Sequence, residues 1–594
     1  MRKLTVCNAP IADFTIVLNP TPHPAEKTAA EFLKNVIKTS CGTELPISDK
    51  KTAHSILIGT REPCGCVKHD GFRITTDENN VYLDGNIARG TLYAAFDFAE
   101  KYLGYRYFAP DCIVTPTEGE SDVPCGLNIV ENPGFIARRT TFEPHIHSAE
   151  YSAHARLNDC MPCKDDIWGG AKDYSGACHS FGKYCPGDVY FEEHPEYFSL
   201  CVDEEDENGG LVRLPCAPGT GPGQLCLTNP DVLRIVTENV LKELREHPET
   251  EIIEFSQVDT ENYCICEKCA AVDAEEESHA GSLIRFVNAL GEAIEDEFPN
   301  VLIRTFAYQY TSKPPKLTKA RRNILIRYCT MDACFRHSLT DPNCAVNSVR
   351  FHKEMEEWQN KCEQMSIWDY PCNWRSFLLP YPNLISLRDN ARYFAECGAV
   401  HVLEEINPWN TAGGAYYNLI CYLSGLLLWN PYMGEAEYFG HIREFLQAYY
   451  GKGWREIAEC MRIEYAETED RCILCMDENV DDSRRFYREY KPYPYQTIKP
   501  NNALTKLAAR HDELMAHLDR ADALAETEEE RFRIDAMRLS FNYMEHSCVA
   551  HEKDKMTAEE QAAHEAALES ILERKKAHRF YWNLSTANND NGAY

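Results

Sequence analysis

Between residues 133 and 435 the chain repeats one pattern. A short apolar, β-prone run stops abruptly in polar or aromatic side chains and is followed by a helical stretch. The runs are Arg139–Phe142, Glu251–Ser256, Val301–Phe306, Asn323–Tyr328, Met365–Asp369 and Ala399–Leu403, with helical segments such as Leu283–Phe298 and Phe351–Lys361 between them. Strands that are continuously apolar are buried on both faces, and helices of crossover length join parallel neighbours. The pattern predicts an α/β fold built on a (β/α)8 TIM-type barrel, whose active sites sit at the C-terminal ends of the strands.

A chain of 594 residues is too long for one core. Residues 1–130 read as a small α/β domain. In it, Ala29, Leu33, Val36 and Ile37 share one helical face, and Phe72–Ile74 and Val81–Gly85 flank a turn. Residues 131–437 are expected to form the barrel and residues 438–594 a helical domain, with Leu507, Leu514, Leu518 and Ala521 on one face and Phe532, Ala536, Leu539 and Tyr543 on another. The Gly- and Cys-rich stretch from Cys160 to Gly223 lacks periodicity and reads as a long loop over one end of the barrel.

Sixty-one basic residues against 93 acidic ones leave a formal charge of −32, which repels nucleic acid and anionic membranes. No run is long enough to span a bilayer, and the basic start of the chain is not followed by the apolar stretch of a secretion signal. With 27 cysteines scattered through strands and helices, mostly buried reduced thiols and a cytoplasmic location are expected. The helical domain is a candidate surface for homo-oligomer formation.

Acids stand at three strand ends: Asp259, Asp369, and Glu404 with Glu405. Two carboxylates across a bond are the equipment of glycoside hydrolysis, one giving a proton to the leaving oxygen and one stabilising the anomeric carbon. Aromatic residues surround them: Tyr308, Tyr310, Trp368, Tyr370, Trp374 and Trp409, with Asn373 as a polar partner. Such rings stack on the apolar faces of sugars. His145, His147 and His179 are further hydrogen-bonding candidates. Cys264, Cys266 and Cys269 could hold zinc if a fourth ligand such as Cys334, Cys344 or a His came from elsewhere, but the paired spacing of a zinc ribbon is lacking. A packing cluster is expected there, with no metal site and no cofactor. Nucleotide-binding and zincin motifs are missing from the sequence.

Longer stretches carry a family likeness. His194–Leu200, Gln224–Pro230 and Phe255–Asp259, with Tyr263-Cys264-x-Cys266-x-x-Cys269, then Arg285–Asn288, Thr305–Tyr308, Pro314–Lys316 and Leu427–Pro431, resemble the domain of unknown function 4838, classed as glycoside hydrolase family 163. The N-terminal part is similar to the small domain that precedes the barrel in hexosaminidase-like and α-glucuronidase-like enzymes. The resemblance, over about residues 135–435, implies a bacterial-type barrel hydrolase of β-linked N-acetylglucosamine, including N-glycan cores. It implies a site of Asp259, Tyr308, Trp368, Asp369 and Glu404, with Arg156, Asn158 and His179 on earlier loops. Where the family has Gly-Val-Phe-Glu followed by Gln or Glu and a glycine, this chain has His401-Val402-Leu403-Glu404-Glu405-Ile406-Asn407.

The reading that results is a hexosaminidase-type glycosidase acting on an oligosaccharide. Glu404 is the expected general acid. Asp259 or Glu405 would be the nucleophile or the group that orients the substrate's own acetamide. An exo-acting α-glucuronidase-like enzyme, with Arg304, Arg327 or Arg375 on the substrate carboxylate, and a non-catalytic sugar-binding protein are the alternatives.

Overall fold

The computed structural model describes residues 1–62, 64–159, 164–171, 178–203, 209–219, 221–374, 376–406, 414–475, 502–550 and 556–578. Trp409 and Arg375, expected near the site, lie outside the described residues.

The first 131 residues hold a six-stranded mixed sheet in the order 128–131, 72–76, 80–85, 55–58, 15–18, 47–48. The expected hairpin is there: 72–76 pairs antiparallel with 80–85, and Asp77 closes the turn by accepting from the Asn79 and Asn80 backbone N–H groups at 2.8 Å. Helix Pro24–Cys41 begins in a reciprocal cap between His23 and Glu26 and ends at Gly42, whose φ of +73° suits glycine. Its Ala29, Leu33, Val36 and Ile37 are buried as expected. Two cysteine pairs, Cys7–Cys125 and Cys64–Cys66, are joined as disulfides. The other described cysteines are free thiols.

The central sheet contains six parallel strands: β1 (Ala137–Thr140), β2 (Ile252–Glu254), β3 (Leu302–Ala307), β4 (Ile324–Cys329), β5 (Met365–Asp369) and β6 (Ala399–Glu404). They run in the order β1-β6-β5-β4-β3-β2. All six expected runs are strands, shifted by no more than two or three residues at their ends. The expected count of eight is corrected: among the described residues the sheet is a curled half-barrel of six. Irregular chain takes the remaining places. Along β2, the Ser180 hydroxyl donates to Glu254 O at 2.7 Å and Phe181 N to Ser256 O at 3.1 Å. Along β1, Asn158 N and Asp159 N lie 3.3 and 3.2 Å from Arg138 O. The reason is in the sequence, because the Gly- and Pro-rich stretch after residue 178 favours turns and the short hairpin Ser199–Val202 with Leu211–Leu214 over long strands.

Side chains alternate across this sheet. One face meets the surrounding helices: Phe255 stacks on Phe286 at 5.3 Å, and the Tyr328 hydroxyl donates to Glu354 at 2.8 Å. The other faces the barrel interior, where Arg304 pairs with Glu254 at 2.6 Å and Arg327 lies 3.9 Å from the same carboxylate.

Helices Glu435–Tyr450, Trp454–Glu467, His511–Leu524, Glu528–Ala550 and Ala558–Ala577 follow. Leu507, Leu514, Leu518 and Ala521 are buried as expected. Phe532 is not: it is 49% exposed and stacks on His578 at 4.1 Å. The other three residues of that expected face do pack inward, Leu539 being buried with Ala536 and Tyr543 against Leu378 and Ile571, and the same helix buries a second stripe of Ile534, Met537, Phe541 and Met544. No described helix is long and apolar enough to cross a membrane.

Asp70 ties the N-terminal sheet to the barrel. Its carboxylate accepts from Arg138 Nη2 at 2.6 Å and from Asn158 Nδ2 at 3.1 Å, with Arg89 at 3.7 Å, and all four side chains are buried. Removing one partner from a buried pair leaves an uncompensated charge. Asp70→Ala is therefore expected to cost about 3–5 kcal/mol of unfolding free energy, read by urea denaturation.

Candidate active site at the strand ends

Register decides which acids share the barrel mouth. Cys329, Trp368 and Leu403 are successive partners across β4, β5 and β6, so they share a face, and Arg327, Ser366 and His401 lie one step below on that face. That face carries Glu254, Arg304 and Arg327, so it is the interior one. Glu405, two residues past Leu403, points the same way: its Oε2 accepts from the Trp368 indole at 2.7 Å. Arg327 lies over the same indole at 5.0 Å.

Glu404 and Asp369 are register partners on the opposite face. Asp369 accepts from the Thr330 hydroxyl at 2.5 Å, and Glu404 faces Ser424 on helix Tyr417–Trp429. Both are buried, at 2% exposure. The structure thus separates the two adjacent glutamates: Glu405 stands in the mouth, and Glu404 lies between sheet and helices.

Asp259 enters the mouth from the turn after β2. Gln224 shapes that turn, its amide donating to Val258 O and Thr260 O at 2.7 Å and accepting from Val258 N at 2.9 Å. Gln257 donates to Tyr308 O at 2.9 Å, which ties the turn to the end of β3. The exposed Asp259 carboxylate then lies 3.2 Å from the Tyr308 hydroxyl and 3.0 Å from Gln309 Nε2. His179, at φ +55°, is fixed by its Nδ1 to Gln257 O at 2.7 Å, and its ring faces Phe306 at 5.3 Å. Phe306, Trp368 and Tyr370 make a run of rings along the interior face, with centroids 5.6 and 6.3 Å apart.

The structure therefore brings together Asp259, Glu405, Tyr308, Trp368 and His179. Tyr310 is not among them, being buried against Tyr263 at 5.1 Å. Asn373 is buried just past β5, where its side chain accepts from Ser376 N at 3.0 Å. Arg156 and Asn158 lie at the junction with the N-terminal sheet. Arg156 pairs with Glu100 at 2.9 Å and Asp97 at 3.7 Å, and Asn158 holds Asp70 and Ile136 O. The structure gives each of them a structural partner and does not bring them together with Asp259 and Glu405.

Electrostatics separates the carboxyls further. Burial pushes Glu405 up to about 7; the Trp368 hydrogen bond, Arg139 and Arg327 hold it down, and the Asp259 charge adds to the rise. Its proton is thus poised near neutrality, as a general acid requires. Burial pushes Glu404 up to about 8, with Ser424 opposing and Asp369 adding, and it lifts Asp369 to about 6 against the Thr330 bond. Beneath the mouth, burial and the neighbouring Arg304 lower Arg327 to about 10, which leaves it charged at neutral pH. His401 is lowered to about 3 by burial and the two arginines, so it is neutral. Two acids missed in the sequence act on one another: burial raises Glu261 to about 7, with Asp332 adding and Arg350 opposing. The position of Glu261 two residues after Asp259 is the signal that could have found it.

The comparisons with known proteins agree with this architecture. The family model described as "Domain of unknown function (DUF4838)" matches residues 107–459, more than half of the chain. The chain belongs to the DUF4838 family. No curated protein sequence matches it. Among solved structures, this DUF4838 protein is similar to a family GH115 4-O-methyl-α-glucuronidase, BtGH115A, with specificity for decorated arabinogalactans, at a TM-score of 0.52 and 11% identity over 95% of this chain and 76% of that one. It is also similar to a family 89 glycoside hydrolase from Clostridium perfringens in complex with PUGNAc, at 0.48 and 11% over 93% and 65%. At 11% identity the likeness to the GH115 enzyme is one of fold.

The sulfur expectation also changes. Cys264, Cys266 and Cys269 are joined by Cys226, not by Cys334 or Cys344, and those two belong to a second group with His337 and Cys472.

Glu404 makes a clear pH prediction for the DUF4838 protein. Its folded value of about 8 lies above the ordinary carboxyl value of 4.5, so the folded state holds a proton that the unfolded state releases. Its contribution is complete below pH 4.5 and is lost as pH rises through 8. Glu404→Gln should flatten the fall in melting temperature between about pH 5 and 9, measured by scanning calorimetry across that range.

Proposed function

We propose that this DUF4838 protein is a glycoside hydrolase that cleaves β-linked N-acetylglucosamine in oligosaccharides. The observation that carries the proposal is the pairing of Glu405, a carboxyl held near neutrality, with the exposed Asp259 at the end of a row of aromatic rings. A sugar stacked on Trp368 and Tyr308 would bring its glycosidic oxygen within reach of Glu405, the proton donor. Asp259 would attack the anomeric carbon or orient the substrate's acetamide to do so, with the Tyr308 hydroxyl and Gln309 amide donating to it and fixing its position. No metal or cofactor enters these steps. This reading moves the acid from Glu404 to Glu405.

The test is turnover of aryl N-acetyl-β-glucosaminide and of free N-glycans, with products weighed by mass spectrometry. Glu405→Gln should lower kcat/KM about 10²- to 10⁴-fold, the range of a lost general acid, while Glu404→Gln keeps most of the parent's activity. A Glu405→Gln variant as active as its parent would sink the assignment. Product size separates endo from exo action. Binding of these sugars without turnover would favour a lectin-like role.

One observation supports a second reading. Arg327 and Arg139 both act on the Glu405 carboxyl from the interior, and guanidinium groups there suit a substrate carboxylate. An exo-acting α-glucuronidase would use them, and the GH115 neighbour carries that activity in its own description. Under this reading aryl α-glucuronide is hydrolysed in preference to the glucosaminide, and Arg327→Met raises KM for it at least tenfold, a loss of about 1.4 kcal/mol of binding.

A further inference from the structure

Two groups of sulfur and nitrogen atoms lie outside the carbohydrate chemistry, and each draws ligands from distant parts of the chain. In the first, Cys226 meets Cys264, Cys266 and Cys269. In the second, Cys334 and His337 meet Cys344 and Cys472. Within each group the four ligand atoms all lie within 4.8 Å of one another.

The spacings fit a tetrahedral metal. Zinc–sulfur bonds of about 2.3 Å set the sulfurs of a tetrahedron about 3.8 Å apart, and a zinc–nitrogen bond of about 2.0 Å brings the nitrogen to about 3.5 Å from each sulfur. Cys226 Sγ lies 3.8 Å from Cys266 Sγ and 3.9 Å from Cys269 Sγ. In the second group Cys344 and Cys472 are 3.8 Å apart, and His337 Nδ1 is 3.3 Å from Cys334 Sγ.

The surroundings suit thiolates rather than an oily cluster of thiols. Backbone N–H groups point at sulfur, Leu200 at Cys264 and Asn347 at Cys344, each at 3.4 Å, and the Thr228 hydroxyl is 3.1 Å from Cys269. His337 directs its Nε2 to Glu469 O at 3.0 Å and its Nδ1 toward the sulfurs, 3.3 Å from Cys334 Sγ. A backbone carbonyl on the far nitrogen is the usual support of a metal-binding histidine.

We propose that the protein binds two structural zinc ions, one held by four cysteines (Cys226, Cys264, Cys266, Cys269) and one by three cysteines and a histidine (Cys334, Cys344, Cys472, His337). Four protein ligands close each site, which assigns bracing rather than Lewis-acid catalysis. The first brace secures the Asp259 turn, since Cys226 is two residues from Gln224 and Cys264 five from Asp259. The second clips the loop after β4 to the segment after helix Trp454–Glu467, beside the Cys334–Leu474 bridge. The inference stands on ligand geometry alone and is independent of the reaction.

The full chain, purified from zinc-supplemented cells without chelator, is analysed by plasma mass spectrometry. About two zinc ions per chain are expected, released by a mercurial thiol reagent. Cobalt added to the chelator-stripped protein should produce strong thiolate-to-cobalt charge-transfer absorption. Cys266→Ser and His337→Gln should each remove one equivalent and leave the other. The metal count of the parent stands even where a variant fails to fold. Less than about half an equivalent of metal in folded parent protein, or iron in place of zinc, would overturn the proposal. Zinc content unchanged in one variant would overturn that site.

Discussion

A side chain on a β-strand can point only to one face or the other, and its neighbour must point away. In this protein that two-residue alternation separates Glu404 from Glu405 across the sheet. It also sets Asp369 against Thr330 while Trp368 turns into the mouth, and it puts Arg138 at the domain junction while Arg139 faces inward. A one-residue slip of β6 would exchange the roles of the two glutamates, and the firm parallel pairing with β1 and β5 prevents it.

Among the described residues, Glu254 beneath the mouth pairs with the buried Arg304 and lies 3.9 Å from the buried Arg327, with a neutral His401 level with Arg327. Arg327 also acts on Glu405. Burial alone would lift that carboxyl further; Arg327 and Arg139 hold it near 7. On the outer face burial, with Asp369 adding and Ser424 opposing, lifts Glu404 to about 8. The same residue type, one position apart, is tuned by environment into a poised proton donor and a buried structural acid.

The six strands and the acids at their ends were legible in the sequence because buried parallel strands are apolar throughout and end abruptly. The same property hid the direction of each side chain: a strand buried on both faces shows no alternation of polarity from which to read it. Glu404 and Glu405 therefore could not be told apart until register was known. Arg156 and Asn158 misled for a related reason, since their partners Glu100 and Asp70 lie 56 and 88 residues earlier. Cys226 was likewise joined to Cys269 only by folding, across 43 residues. The missing barrel strands are signalled by the glycine-rich stretch before residue 223, which reads as a covering loop and also closes the edge of β2.

The Asp70 junction has a consequence for how this architecture is put together. Arg138 sits within the first barrel strand, yet its counter-ion belongs to the N-terminal sheet, and Trp429 from the last barrel helix lies beneath Arg138 and stacks on Phe72 of that sheet. The three pieces share one buried polar centre. A shortened chain beginning at the barrel would keep the Arg138 contacts to Arg156 O and Phe135 O but lose its counter-ion, so the small leading unit supplies a charge that the barrel body itself uses.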